Sequence, residues 1–339
     1  MSLAELVKES LIFLARHTIG EARTHDYLIR RGIKVRQLEN YYKDNGVLKP
    51  IHHGNERQTL IFMVDGKWMH GGLTDRLRGM TSAWDFAKQH HLDFKIFHTS
   101  PFALDKILEP NKSDWLIKEN EISGNVNDAK PVLLYREDFE NIHVLERQLD
   151  KTHRQFHLYS CVDSVGEKFP ALFNELFKPS ELLQNELGLY EFLTKIPYGA
   201  ISFRMQNLLG DFSEGKFGTL PSNRQKEELL NSALTALSRM ISQNQQWDRI
   251  LVTADSPALL EQAAKIPKVV TVKGKSVHID FDKSNAEQDH LKAFVEFLLI
   301  SKAQKVFLYQ NQKYKTYPSN FPKYAAKLGN VPFETIKDC

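Results

Sequence analysis

The sequence predicts an α/β fold divided into two domains, and three observations support this prediction. The chain has 339 residues, which is long for one core, so two domains of about 150–170 residues are expected. From Gln58 onward, strand-like and helix-like patterns alternate, as they do in a sheet flanked by helices. The second half repeats this alternation from Gly199 onward.

Composition places the chain in the ordinary globular class. Hydrophobic residues make up 42% and charged residues 26%, which argues against a disordered, fibrous or membrane-embedded protein. The net charge of +3 is far from the concentrated basic field of a dedicated nucleic-acid binder, so no nucleic-acid partner is expected. Cys161 and Cys339 are the only cysteines, which excludes a disulfide framework and a cysteine-rich zinc site.

The first 50 residues predict a helical extension. Apolar residues between positions 2 and 17 are interrupted by charges every few residues, which indicates an amphipathic helix and not a secretion signal. No apolar run is long enough to span a bilayer, so a cytoplasmic location is expected. A short basic cluster follows, and it is either a solvated face or a contact with an acidic partner or a membrane surface; its members are Arg30, Arg31, Lys34 and Arg36.

A glycine pair, Gly71 and Gly72, leads directly into a helical pattern that carries Arg76 and Arg78. Adjacent glycines let a backbone approach a ligand, and the first helical turn offers amide N–H groups to an anion. Arginines add fork-shaped donors that suit phosphate or carboxylate. The alternative is a loop that only needs left-handed dihedral angles, followed by a helix with solvated arginines.

The remaining elements follow from hydrophobic periodicity and capping signals. Strands are predicted at 59–64, 94–97, 132–135, 156–159, 199–204, 249–254 and 305–309. Besides the helix after Gly72, helices are predicted from Pro101 to Pro110, after Ser222, from Pro257, over 288–303 and after Tyr317.

Two polar positions follow strands in the second half. Arg204 ends one predicted strand, and Asp255 and Ser256 follow the next. Open α/β sheets place ligand-binding groups at the carboxyl ends of their strands, so these residues are candidates for a binding site. Asp255 or Ser256 serving only as the N-cap of the helix at Pro257 is the alternative.

Taken in order, four stretches resemble the fucosyltransferase superfamily that includes the bacterial nodulation fucosyltransferases and the protein O-fucosyltransferases. The segment from His70 to Gly79 looks like its glycine-rich motif, and Phe203-Arg204 with Gly210-Asp211 resembles its donor-phosphate motif. Two further stretches are similar to the strand-end acidic motif and the final motif of that superfamily; they are 252–257 and 319–326. The resemblance covers residues 59–329. It departs from the family at Ser202, where a histidine is usual, and in the six residues between Arg204 and Asp211.

The resemblance implies a GT-B fold, with two Rossmann-like domains facing across a cleft. The acceptor side would be 51–175 and the nucleotide-sugar donor side 176–339, after the helical extension 1–50. It also implies an inverting, metal-independent transfer of fucose from GDP-fucose, the donor substrate, to a glycan acceptor, with no cofactor. The lack of a clustered acidic pair or a metal-type histidine spacing agrees with metal independence.

The resemblance also implies roles for single residues. Arg204 would stabilise charge on the departing diphosphate, and His70 and Asp75 are the other catalytic candidates. The general base stays open among His70, Asp75, Asp211 and Glu214. Donor binding is expected from Gly71, Gly72, Arg76, Arg204, Asp255, Ser256, Ser319 and Phe321.

Three functions follow from the sequence. The first is a fucosyltransferase of carbohydrate biosynthesis. The second is a non-catalytic module that binds a nucleotide or a carbohydrate with the same two domains, and the third is another two-domain nucleotide-sugar enzyme such as an epimerase.

Overall fold

The computed structural model describes residues 57–134, 142–212, 217–280 and 287–338, together with Ser10, Leu14 and Thr18. The three isolated residues are helical; the rest of the predicted helical extension lies outside the described residues. No helix in the described part of the chain is long and apolar enough to cross a membrane.

Parallel strands and helices alternate along most of the described chain. The strands are β1 Thr59–Val64, β2 Asp93–His98, β3 Leu108–Pro110, β4 Ala129–Leu134, β5 Gln155–Ser160, β6 Phe177–Pro179, β7 Tyr198–Phe203, β8 Arg249–Ala254, β9 Val269–Thr271, β10 Val306–Asn311 and β11 Phe333–Asp338. The α-helices are α1 Leu73–Gln89, α2 Phe169–Leu176, α3 Glu181–Gly188, α4 Glu191–Thr194, α5 Asn223–Gln243, α6 Pro257–Ala263, α7 Glu287–Ile300 and α8 Asn320–Leu328. Short 3-10 helices lie at Leu104–Lys106, Glu119–Glu121, Ile142–Gln148 and Gly166–Lys168.

The chain divides into two compact units that are each discontinuous in sequence. Among the described residues, the first unit contains 57–70, 75–98 and those between 114 and 166. The second unit contains 71–74, 99–113 and the described residues from 167 onward. The domain boundary predicted between residues 175 and 176 stays a prediction.

The first unit is built on a four-stranded parallel sheet in the order β2-β1-β5-β4. Every residue of β1 from Leu60 to Val64 is buried, as expected of a parallel strand that is covered on both faces. Helix α1 approaches this sheet closely at Gly79, where a Cβ atom would lie 2.8 Å from the ring of Phe62. The continuous apolar run of β1 therefore lies inside the sheet of this unit, between β2 and β5.

The second unit is built on a five-stranded parallel sheet in the order β11-β10-β7-β8-β9. Helices α5 and α6 pack on it through a shared apolar cluster that includes Leu229, Leu237 and Leu259. A close approach occurs at Gly199 in β7, where a Cβ atom would lie 2.3 Å from the ring of Trp247. Strand β7 is thus the centre of the sheet, and its carboxyl end lies beside that of β8.

Three predicted helix starts are confirmed by their caps. The hydroxyl of Ser222 accepts from the amide of Gln225, that of Ser256 from Leu259 and that of Ser319 from Phe321. Each serine satisfies an amide of the first turn that has no partner inside its own helix.

The helix predicted from Pro101 to Pro110 is wrong. After a cis Ser100–Pro101 peptide bond, this segment forms only the 3-10 turn Leu104–Lys106 and then β3. Strand β3 pairs in antiparallel fashion with β6, so that Pro110 lies opposite Phe177. The pairing partner comes from almost seventy positions later in the chain, and this tertiary contact overrides the local capping signal.

A buried histidine makes the stability of the first unit sensitive to acid. His157 lies in β5, where its Nε2 donates to the side-chain oxygen of Gln155 at 2.9 Å. Burial lowers the pKa of His157 from 6.5 to about 3, although Asp65 opposes the shift. The folded state therefore keeps the imidazole neutral at pH values at which the unfolded chain binds a proton.

The free energy of unfolding should fall as the pH drops below 6.5, by up to about 1.4 kcal/mol for each pH unit until the pH nears 3. Urea titrations at pH 7, 6 and 5 measure this slope. The His157→Leu variant should lose this part of the slope, whereas His91→Asn, at an exposed position with φ of 55°, should keep it. Equal slopes in His157→Leu and the parent protein would contradict the assignment.

Candidate functional site

The candidate site lies at the carboxyl edge of the sheet of the second unit. Arg204 directly follows β7 and Asp255 directly follows β8, and the last residues of these strands, Phe203 and Ala254, are paired in register. Parallel strands end on the same edge, so the two charged side chains come together there.

Arg204 and Asp255 form an ion pair that also shapes the loop after β7. Nη1 of Arg204 donates to Oδ2 of Asp255 at 2.6 Å. The backbone amides of Met205 and Gln206 donate to the same carboxylate at 2.8 and 2.7 Å. Asp255 therefore holds both the guanidinium and the loop that carries it.

The two members of the pair differ in exposure. The side chain of Asp255 is 6% exposed, whereas that of Arg204 is 19% exposed and lies over the ring of Phe212. Burial raises the pKa of Asp255, and the charge of Arg204 with the two amides acts in the opposite direction. A carboxylate enclosed in this way orients a cation whose edge reaches solvent.

Ser256 and Asp211 occupy the beginning of α6. The hydroxyl of Ser256 donates to Oδ2 of Asp211 at 2.6 Å and accepts from the amide of Leu259 at 3.2 Å. The amide of Ala258 donates to the same oxygen of Asp211 at 3.0 Å. The structure thus gives Ser256 the capping role, the alternative stated for it, and it ties Asp211, a candidate base, to the helix start.

The Ser256→Ala substitution should lower the free energy of unfolding by about 2 kcal/mol, because it removes a buried cap and a hydrogen bond to a carboxylate. Ser222→Ala, which removes the exposed cap of α5, should cost about 1 kcal/mol or less. Urea unfolding of both variants measures the difference. A larger loss at Ser222 than at Ser256 would contradict this account.

Ser202, where the resemblance expects histidine, is buried in β7. Its hydroxyl lies 2.6 Å from that of Thr253 on the neighbouring strand. The pair satisfies two polar groups inside the sheet, so a small hydroxyl side chain suits this position.

Helix α7 brings a second ion pair into the same unit, between Lys292 and Glu296. Both side chains are buried, and their spacing of four residues places them on one face of the helix. Neither residue was predicted from the sequence as part of a site. A lysine and a glutamate on the apolar face of a helix were the signal that could have found them.

The loop after β9 connects this helix to the strand edge. The hydroxyl of Ser276 donates to the carbonyl of Ala254 at 2.9 Å, next to Asp255. Further along this loop, the carboxylate of Asp280 accepts from the amide of Gly71. Gly71 has a φ of 77°, so its left-handed conformation, the alternative stated for the glycine pair, is present. Gly72 is half-buried beside it.

Ser319 and Phe321 lie at the start of α8. Ser319 caps this helix, and the ring of Phe321 lies edge-on to Phe297 of α7, with ring centres 5.6 Å apart. Phe321 therefore packs against α7, the helix that carries Lys292 and Glu296.

Three predicted site residues lie in the first unit and have partners there. His70 is buried, and its Nδ1 lies 3.3 Å from the carbonyl of Ser160. Asp75 is paired with Arg78. Arg76 is also buried, with Nη1 3.2 Å from Nε2 of His98; because a guanidinium only donates, His98 accepts through Nε2. Glu214 lies outside the described residues.

The described residues contain no group of three or more His, Cys, Asp or Glu side chains that could hold a metal ion.

The structure assembles Arg204, Asp255, Ser256 and Asp211 at one strand edge of the second unit. At this edge Asp255 holds the guanidinium of Arg204 in place, beside the capped start of α6.

Comparison with known proteins identifies the fold through solved structures alone. No family model matches the sequence, and no curated protein does either. An arginine-to-lysine mutant of Arabidopsis thaliana FUT1 in complex with GDP has a TM-score of 0.52 at 11% identity, over 92% of this chain and 77% of that one.

The NodZ α-1,6-fucosyltransferase has a similar fold as well. Its structure soaked with GDP-fucose has a TM-score of 0.53 at 15% identity, over 82% of this chain and 94% of that one. The fucosyltransferase NodZ from Bradyrhizobium gives 0.51 at 15% identity, over 80% of this chain and 93% of that one. The chain has two α/β units, each built on a parallel sheet, and therefore has the fucosyltransferase-like GT-B fold that its motifs predict.

Proposed function

We propose that this protein is a glycosyltransferase that transfers fucose from GDP-fucose to a glycan acceptor, with inversion and without a metal ion. The observation that carries the proposal is the Arg204–Asp255 pair, which presents a fixed guanidinium at a strand edge. Its support is the fold, which is similar to that of proteins solved with GDP or GDP-fucose.

The chemistry requires a cation at the leaving group. As the bond between fucose and the diphosphate breaks, negative charge develops on the phosphate oxygens, and a fixed donor lowers the barrier most when it needs no reorganisation. Asp255 supplies that fixation, since its carboxylate holds one nitrogen of Arg204 and the two following amides. Arg204 is then the catalytic residue, and Asp255 is its positioning residue.

The other groups would take roles around this cation. Ser319 and Phe321 would border the nucleotide, and the backbone of Gly71 and Gly72 would border the transferred sugar. The acceptor hydroxyl attacks the anomeric carbon from the side opposite the diphosphate, and its proton passes to a base. For that base, His70, Asp75, Asp211 and Glu214 stay candidates.

Nucleotide binding tests the donor. In thermal unfolding of the full chain with GDP, UDP or ADP, GDP should raise the melting temperature most, because a ligand at about a hundred times its Kd adds about 2.7 kcal/mol to the stability of the folded state. A shift with UDP or ADP and none with GDP would contradict GDP-fucose as the donor.

Turnover tests the activity. Mass spectrometry of GDP-fucose incubated with the protein should show release of GDP, and fucosylated product when a suitable glycan is added. Binding of GDP-fucose without any turnover across a glycan panel would instead support the non-catalytic binding module.

A further inference from the structure

Gln206 lies in the loop that carries Arg204, and both residues are fixed to the same atom. The backbone amide of Gln206 donates to Oδ2 of Asp255 at 2.7 Å, and Nη1 of Arg204 donates to this oxygen at 2.6 Å. The bond of Gln206 uses its main chain and leaves its side chain out. Gln206 is therefore anchored beside the guanidinium through its backbone alone.

The side chain of Gln206 has no hydrogen-bond partner in the described part of the chain, although the residue is only 7% exposed. Among the described residues, the polar side-chain atoms that lack both a partner and contact with solvent do not include its carboxamide. The carboxamide therefore borders the small exposed part of the residue. Buried polar groups are nearly always bonded, so a group of this kind calls for a water molecule or a ligand.

The backbone at Gln206 has a conformation that favours glycine. Its φ is 51°, in the left-handed region, which costs free energy for a residue that carries a Cβ atom. Glycine would adopt this conformation without the cost, so the backbone does not explain the glutamine. Residues held in this way are concentrated in ligand-binding sites. A function of the side chain would account for its presence.

The loop also carries a second positive charge. The ammonium of Lys226 rests on Gly210, which has a φ of 81°, because a Cβ built there would lie 2.8 Å from Nζ. No carboxylate in the described ranges forms an ion pair with Lys226. The amide of Gly210 donates to the carbonyl of Asn207 at 2.9 Å, so this ammonium lies against the turn that directly follows Gln206. A ligand with more than one negative charge suits this loop.

We infer that Gln206 is a binding residue of the donor site, whose carboxamide N–H donates to a diphosphate oxygen of a nucleoside-diphosphate sugar. Arg204 supplies charge to the diphosphate, and Gln206 supplies a neutral donor. One oxygen of Asp255 fixes the places of both. The inference rests on the proposed function and adds to it a residue that contacts the donor directly.

Calorimetric titration of the full chain with GDP tests this inference. Gln206→Met keeps the length of the side chain and the backbone bond to Asp255 but removes the carboxamide, so the Kd for GDP should rise about tenfold. The urea midpoint should stay that of the parent, because the carboxamide bonds no described residue. An unchanged Kd, or a urea midpoint that falls together with the affinity, would overturn the inference.

The chain offers a matched control in Gln243, an exposed glutamine at the last position of α5. Gln243→Met makes the same chemical change and should leave both the Kd and the urea midpoint unchanged. An equal rise of the Kd in this variant would show that the loss at Gln206 is not specific, which would also overturn the inference.

Titration with pyrophosphate separates this inference from the proposed function. Pyrophosphate has the diphosphate without the nucleoside, so Gln206→Met should weaken its binding by the same factor as that of GDP. A weaker GDP complex with unchanged pyrophosphate binding would place the carboxamide on the nucleoside and overturn the inference.

A parent protein that binds pyrophosphate but not GDP would count against GDP-fucose as the donor, and the pyrophosphate Kd of Gln206→Met would then decide the inference by the same factor. A parent protein that binds neither compound would overturn the inference as well.

Discussion

Replacing Arg204 by alanine should lower kcat/KM for GDP-fucose about a hundredfold, which corresponds to roughly 3 kcal/mol of transition-state stabilisation. The loss follows from the position of the guanidinium, which Asp255 holds at 2.6 Å and which reaches solvent at the strand edge. Steady-state release of GDP, measured with saturating acceptor and varied GDP-fucose, gives the value.

Two variants make this result specific. Arg204→Lys keeps the charge but loses the planar fork, so its kcat/KM should fall between those of the parent and of Arg204→Ala. Arg249→Ala removes an exposed arginine at the opposite end of the neighbouring strand β8 and should leave activity unchanged. If Arg204→Ala kept about a third or more of the parent kcat/KM, this result would contradict the catalytic role assigned to Arg204.

Replacing Asp255 by alanine should lower the free energy of unfolding by about 3–5 kcal/mol, because one partner of a buried ion pair is removed and the other is left uncompensated. The amides of Met205 and Gln206 lose their acceptor in the same step. Urea unfolding measures this loss when the slope of the unfolding free energy against urea concentration is the same in both proteins.

Asp255→Asn retains an oxygen that can accept from an amide, so it should lower the free energy of unfolding by less than Asp255→Ala does. The difference between the two variants measures the contribution of the hydrogen bonds that this oxygen accepts. Asp248→Ala, which removes an exposed aspartate just before β8, should stay within about 0.5 kcal/mol of the parent. A loss below about 1 kcal/mol in Asp255→Ala would contradict the structural role of the ion pair.

The core strands could be predicted from the sequence because strands buried on both faces are continuous apolar runs, as in β1 and β8. The serine caps of α5 and α6 could be predicted because a capping residue lies directly before its helix in the sequence. The segment from Pro101 to Pro110 could not, since its conformation depends on pairing with β6. Local signals fail where a distant strand supplies the partner.

The candidate site divides in the same way. The places of Arg204 and Asp255 at the carboxyl edge of the sheet could each be predicted from the strand pattern. Their ion pair could not, because it joins residues 51 positions apart, and neither could the bond between Gly71 and Asp280, 209 positions apart. Lys292 and Glu296 have the spacing of an ordinary exposed helix pair, and in the sequence only their place on the apolar face of α7 distinguishes them.

The second unit cannot be produced as one uninterrupted stretch of polypeptide. A polypeptide that begins at residue 167 lacks 99–113, and with it the strand that pairs with β6 and the ring of Phe102, which packs against His290 and Phe294 of α7. It also lacks Gly71, the donor to Asp280. Exchanging the second unit between proteins of this fold by a single crossover would therefore separate parts of one core, so such chimeras need three matched segments.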